Sequence, residues 1–184
     1  MKRTLLLVLA LMLVAAPSFA QIPDTAYVGL YTDVDHTTWS ATYSGVTTTV
    51  YMYIFWVPGP DGLQAAEWAI SYPSNILQGT ITKDADIAST LGTMQAGIAV
   101  SMYTCHAGGV WYWTHKVRLF LQDAEQSTIE IVANPTVIPP VYDYSACTLG
   151  YPRKPVKRAT NLCMNWSCET ATQSATWGAI KSLF

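Results

Sequence analysis

Four cysteines, three histidines, two closely spaced aspartate pairs and one glutamate set among apolar residues are where this chain could do chemistry. Cys105, Cys147, Cys163 and Cys168 permit three disulfide pairings. The expected set joins Cys105 to Cys147 and Cys163 to Cys168, with the other two pairings open. In the loop-closure picture the first ring, of roughly 43 residues, stabilises by ~4 kcal/mol and the second, of about six, by ~2 kcal/mol. A zinc site is the rival reading, but structural zinc wants two close Cys pairs or a Cys pair with spaced His, and only Cys163 and Cys168 are close. His36, His106 and His115 fall into no ligand spacing, so neither a metal nor a cofactor is assigned. His106 follows Cys105, yet an oxidised sulfur is no nucleophile. Asp33 with Asp35 and Asp84 with Asp86 offer oxygens to Ca²⁺, but neither pair continues as an EF-hand loop. Both are expected to be solvated turn residues.

Glu67 precedes Trp68 in the run Leu63-Gln64-Ala65-Ala66-Glu67-Trp68-Ala69-Ile70, where desolvation would suit it to general acid work. A glycosidase needs a second carboxylate, and no spacing identifies one. Alternation instead puts Glu67 on a wet strand face, with Ala66, Trp68 and Ile70 inward. No catalytic residue is therefore assigned. Seven Trp and eleven Tyr invite a stacking platform for sugar rings, with Trp39, Tyr43 and Tyr112 as ligand-binding candidates. Arg153-Lys154-Pro155-Val156-Lys157-Arg158 is a local positive patch that a charged edge strand explains. Asn165-Trp166-Ser167 matches a glycosylation acceptor.

The elements that must carry these residues begin after an expected secretory signal. Lys2 and Arg3, the apolar run Leu5 to Ala16 and the small-residue site Pro17-Ser18-Phe19-Ala20 assign 1–20 to a signal peptide, with the domain at 21–169 and a linker and tail at 170–184. The product is then secreted, periplasmic or extracellular, and its thiols oxidise. The signal's apolar run is too short to span a bilayer of ~30 Å, and no later stretch is long enough, so no transmembrane helix is expected after cleavage. Losing Lys2 and Arg3 moves the formal charge from −2 to −4, which argues against nucleic acid as a partner. Only 12% of residues are charged while 51% are apolar or aromatic. Much of that surface must face a core or a partner.

Branched and aromatic residues dominate and predict an all-β fold. Strands are expected at 26–32, 47–57, 65–72, 77–82, 97–105, 110–121, 128–133 and 156–164, with one short helix at Ala85–Leu91. Pro58-Gly59-Pro60-Asp61-Gly62 should turn an antiparallel hairpin. Alternation turns Trp111, Trp113, Val117, Leu119 and Leu121 to the core, and Thr47 to Val57, large on both faces, reads as a central or partner-covered strand. Prolines from Pro135 to Pro155 imply an irregular crossover. Trp177 to Phe184 has helical spacing but is too short to stand alone, so it should dock or associate. A terminal Phe also fits an outer-membrane barrel, although the prolines and cysteines suit one badly.

The signal, Ala26-Tyr27-Val28-Gly29-Leu30-Tyr31, Glu67-Trp68-Ala69-Ile70-Ser71-Tyr72-Pro73 and Thr176-Trp177-Gly178-Ala179-Ile180-Lys181 resemble a loose group of small secreted bacterial proteins. The strand pattern, with Gly97-Ile98-Ala99-Val100-Ser101 running to Cys105, resembles the cohesin-type, immunoglobulin-like β-sandwich of cell-surface scaffolds. That likeness implies a two-sheet antiparallel sandwich of eight or nine strands and transfers no binding residue. The expected role is a non-catalytic binding or structural module of the envelope or extracellular space. Its partner would be a protein or a glycan, with self-association through the tail as a further route. The alternative is a hydrolase of envelope polysaccharide using Glu67 and a second carboxylate.

Overall fold

The computed structural model describes residues 26–138, 140, 143–156 and 158–168. The expected signal and the tail lie outside them. Among the described residues there are thirteen strands and no helix: β1 (Tyr27–Tyr31), β2 (Ser40–Ala41), β3 (Thr48–Val57), β4 (Leu63–Ser71), β5 (Ile76–Lys83), β6 (Ile87–Thr93), β7 (Gly97–His106), β8 (Tyr112–Leu121), β9 (Ser127–Val132), β10 (Asp143–Ser145), β11 (Arg153–Pro155), β12 (Arg158–Thr160) and β13 (Leu162–Met164). They form a five-stranded sheet, β12-β1-β3-β8-β5, and an eight-stranded sheet, β11-β10-β4-β9-β13-β2, in which β7 pairs with β4 and β6. All pairings are antiparallel except β1 with β12 and β2 with β13. This is a two-layer sandwich.

Period-2 alternation builds the core. Val28, Leu30, Met52, Ile54, Trp56, Val117, Leu119 and Leu121 from one sheet meet Leu63, Trp68, Ile70, Ile98, Val100, Ile129, Ile131 and Leu162 from the other, all buried. Trp56 and Trp68 face each other across the layers with ring centroids 5.4 Å apart. Burying a large apolar side chain of this kind stabilises by about 2 kcal/mol.

Pro58–Gly62 is a turn, but it crosses between the sheets instead of closing a hairpin. Both edges of β3 are occupied, by β1 and β8, so β4 has no edge to pair with. Three backbone bonds fix the crossing: Gly62 N–H to Gly59 O (3.0 Å), Gly109 N–H to Pro58 O (2.9 Å) and Cys147 N–H to Asp61 O (2.9 Å). The expected helix at Ala85–Leu91 is instead a turn at Ala85 and Asp86 followed by β6, which pairs along β7 from Ile87 to Thr93. Asp84 starts it with a turn in which its carboxylate accepts from Asp86 N–H at 2.9 Å.

Trp111 and Trp113 face outward. The β3–β8 register shifts between Ile54 and Phe55, so Ile54 pairs with His115 but Phe55 with Trp113, and Thr114 takes up the extra position. Buried Thr114 donates its hydroxyl to Ile54 O at 3.3 Å. Val117, Leu119 and Leu121 keep the inward face. The expected strand 156–164 divides into β12 in one sheet and β13 in the other, with Asn161 at the crossing and its carboxamide oxygen on Ile131 N–H (3.2 Å).

Candidate functional site

On the outer face of the eight-stranded sheet, register alone brings two acids together: Glu67 of β4 lies opposite Asp143 of β10. Arg153 of β11, opposite Ser145, reaches both, with its guanidinium on a Glu67 oxygen and Nε 3.1 Å from Asp143 Oδ2. Asn134 Nδ2 donates to the other Glu67 oxygen at 3.4 Å. Desolvation raises the Asp143 pKa. The second carboxylate that a hydrolase would need is thus present, but one guanidinium bridges the pair. A Glu67 engaged on one oxygen by Arg153 and on the other by Asn134 is an ion-pair partner, not a proton donor, so the site does not support hydrolysis. Glu67 faces outward while Ala66, Trp68 and Ile70 are buried, as alternation requires.

Around this bridge the surface is paved with small side chains. Ala65 pairs with Ser101 and Ser145, Glu67 with Ala99, and Ser101 shares a 2.7 Å hydroxyl contact with Ser89. A cavity of about 190 Å³ is lined by Ala65, Ala99 and Ser145 together with Glu67, Asp143 and Arg153. Lys154, the neighbour of Arg153, pairs with Asp61 in the crossing turn. Two members of the basic run are therefore committed to internal pairs.

The outer face of the five-stranded sheet is covered by its own aromatics. His36, in the loop after β1, stacks on Trp111 (centroids 4.0 Å, 29° between planes), while Tyr27, Tyr31 and Phe55 meet Trp111 edge-on. The hydroxyls of Tyr27 and Tyr31 lie 2.6 Å apart, and Tyr27 also donates to the Thr160 hydroxyl. Burial, followed by the Tyr27 bond, raises the Tyr31 pKa. Gly29 makes this closure possible, because a Cβ there would lie 2.7 Å from both the Tyr27 hydroxyl and the Tyr31 ring. Farther along, Lys116 Nζ sits 4.2 Å from the centre of the Tyr51 ring and Arg118 lies over Phe120.

The three aromatic candidates lie in different sheets. Trp39 and Tyr43 flank β2 and pack on the core; the Trp39 indole donates to Cys168 O at 2.7 Å, and Tyr43 N–H to the Asn165 side chain at 2.7 Å. Tyr112 opens β8 in the other sheet, stacks on His106 (3.5 Å) and donates to Asp84 at 3.3 Å. The structure does not assemble them into a platform. His106 pairs with Asp86 at 2.8 Å, and the Thr104 hydroxyl, also bonded to Asp86, is the main cause of that carboxylate's lowered pKa. Asp33 accepts from the backbone and hydroxyl of Thr37. Asn165 spends its amide on the Asp123 and Glu125 carbonyls, so a glycan attached there would break both bonds. The disulfides are Cys105–Cys147 and Cys163–Cys168, as expected.

Sequence reasoning missed Asp143 and Arg153 as the partners of Glu67 and missed the His36–Trp111 stack. Asp143 lies in a three-residue strand bounded by a proline-rich stretch, too short for a periodic signal.

No family model and no curated protein matches the sequence. Among solved structures, the chain is similar to the seventh ScaB type I cohesin from Pseudobacteroides cellulosolvens, with TM-score 0.52 and 8% identity over 81% of this chain and 96% of that one. It is also similar to the sixth cohesin of scaffoldin B from Acetivibrio cellulolyticus, solved with a Cel5 dockerin, with TM-score 0.53 and 8% identity over 78% of this chain and 99% of that one. A non-cellulosomal cohesin from the hyperthermophilic archaeon Archaeoglobus fulgidus matches with TM-score 0.52 and 6% identity over 82% of this chain and 95% of that one. At these identities the likeness shows the fold, a cohesin-like β-sandwich.

Proposed function

We propose that this protein is a secreted, non-catalytic protein-binding module of the cell envelope or extracellular space, and that its partner docks on the outer face of β10, β4 and β7. The observation that carries the reading is the surface itself: Ala65, Ala99, Ser101 and Ser145 form a floor of small side chains beside one bridged charge cluster. Small side chains lose little entropy when covered, and an already paired Arg153 presents fixed polarity to a partner. Two disulfides fit an oxidising compartment. The Acetivibrio cohesin of the same fold is solved with a protein partner, a dockerin.

The test captures exported proteins on the immobilised domain and measures each captured partner against surface variants. Ala99→Arg, at the centre of the floor, should weaken a genuine partner at least about tenfold. Tyr51→Arg, on the opposite sheet, should leave it unchanged. Equal loss with both variants, or with neither, refutes this face.

A further inference from the structure

Carboxylates are excluded from one whole sheet. The strands β1, β3, β5, β8 and β12 contain Lys83, Lys116, Arg118 and Arg158 but no Asp or Glu, in a chain whose 12 acidic residues outnumber its 10 basic ones. The outward positions of this sheet alternate with buried Met52, Ile54, Val117, Leu119 and Leu121. Tyr51 therefore lies opposite Arg118, Tyr53 opposite Lys116, and Leu77 of β5 opposite Phe120, all on the outer face. Tyr51, Leu77 and Arg118 are exposed.

Aromatic rings hold the two outward cations in place. Lys116 Nζ sits 4.2 Å from the centre of the Tyr51 ring and 5.4 Å from that of Tyr53. The Phe120 ring lies against Gly79, where a Cβ would come within 2.7 Å of it, and the Arg118 guanidinium is 4.7 Å from the centre of that ring. A cation held by a ring face keeps its N–H donors free. Among the described residues, neither Lys116 nor Arg118 meets a carboxylate or any other hydrogen-bond acceptor, and the Tyr51 and Tyr53 hydroxyls are likewise unbonded. The charge on this face is thus positioned but not neutralised.

We infer that this face rests on a bilayer that contains anionic phospholipid. Lipid phosphates supply the anions that Lys116 and Arg118 lack, and tyrosine rings with free hydroxyls suit the boundary between headgroups and acyl chains. Leu77 and Phe120 add apolar surface beside them. A sugar chain would instead need side-chain amides or carboxylates to bond its hydroxyls. The five strands hold no Asn, and their one Gln, Gln78, lies opposite inward-facing Leu119. With two cations and a small apolar contact, binding is reversible and depends on the anionic lipid. The face belongs to the opposite sheet from the proposed docking floor, so either reading can fail without the other.

The test is co-sedimentation of the purified protein with vesicles of equal parts phosphatidylglycerol and phosphatidylcholine, and with vesicles of phosphatidylcholine alone. Binding should require phosphatidylglycerol. Lys116→Gln and Arg118→Gln should each weaken it about fivefold, and the double variant about thirtyfold, one step for each cation at the surface. Lys154→Gln removes the same charge from the other sheet and should leave vesicle binding unchanged, as should Lys116→Arg, which keeps the charge. No binding to the phosphatidylglycerol vesicles, binding indifferent to Lys116 and Arg118, or an equal loss with Lys154→Gln overturns the inference. Polygalacturonate or polyglutamate engaging Lys116 and Arg118 where the vesicles do not would reassign the face to an acidic glycan or an acidic protein, and overturns it equally.

Discussion

Acidification across the range where free histidine titrates should destabilise this protein through one residue. His115 is 2% exposed, and burial, followed by the charge of Lys83, lowers its pKa from 6.5 to about 4. Lys83 is the charged side chain that faces it; its other neighbours, Trp68 at 5.8 Å between ring centres and Gln78, do not titrate in this range. Because the folded state disfavours the imidazolium, the unfolded chain takes up the proton first. The stability that neutral His115 permits is therefore complete above pH 6.5, declines as the pH falls toward about 4, and stays low beneath that. At 1.36 kcal/mol for each pKa unit, the full loss is about 3 kcal/mol, a large share of the ~5–15 kcal/mol that holds a domain together. The melting temperature should drop by roughly 10 °C. Urea titrations at about pH 7 and about pH 4.5 should show most of this loss in wild type. His115→Phe, which keeps a ring and cannot protonate, should flatten the profile between those two pH values. Equal wild-type stability at both values, or an undiminished slope in the variant, would refute the assignment.

Three further outcomes follow from the geometry. Removing Cys105–Cys147 as a double alanine variant should cost about 4 kcal/mol and removing Cys163–Cys168 about 2 kcal/mol, since the sequence separations are 42 and 5; a reversed order in guanidinium melts contradicts the loop argument. Gly62→Ala should destabilise by about 2 kcal/mol, because Gly62 has φ +74° and a Cβ there would lie 2.7 Å from His106 O and 2.9 Å from Cys105 Sγ; a neutral result in thermal melts would mean that the crossing turn relaxes freely. Arg153→Met leaves Glu67 and Asp143 opposed without their cation, and because Arg153 is half exposed the loss should be only about 1 kcal/mol and shrink in high salt; a loss independent of salt would point to packing.

The parts of this fold legible in the sequence are those set by local pattern. Branched residues on a period of two identified β1, β3, β4, β7 and β8 within a residue or two. The alternation at 66, 68 and 70 placed Glu67 outside correctly. What pattern could not see was pairing. Nothing local shows that both edges of β3 are occupied, which is why the turn at Pro58–Gly62 crosses sheets. The segment Ile87–Leu91 is a strand because β7 offers it an edge, an influence from outside its own residues. A single bulge at Thr114 reversed the faces of Trp111 and Trp113 and brought Trp111 under His36. Short strands such as β10 and β11 exist only through their partners, so the Glu67–Arg153–Asp143 bridge had no signal along the chain.

Hydrogen exchange on the domain with and without its captured partner shows whether a protein docks on the outer face of β4, β7 and β10. Slower exchange should concentrate at residues 65–67, 99–101 and 143–145, with the five-stranded sheet unaffected. Protection confined to β1, β3 and β8, or none at saturating partner, would contradict it.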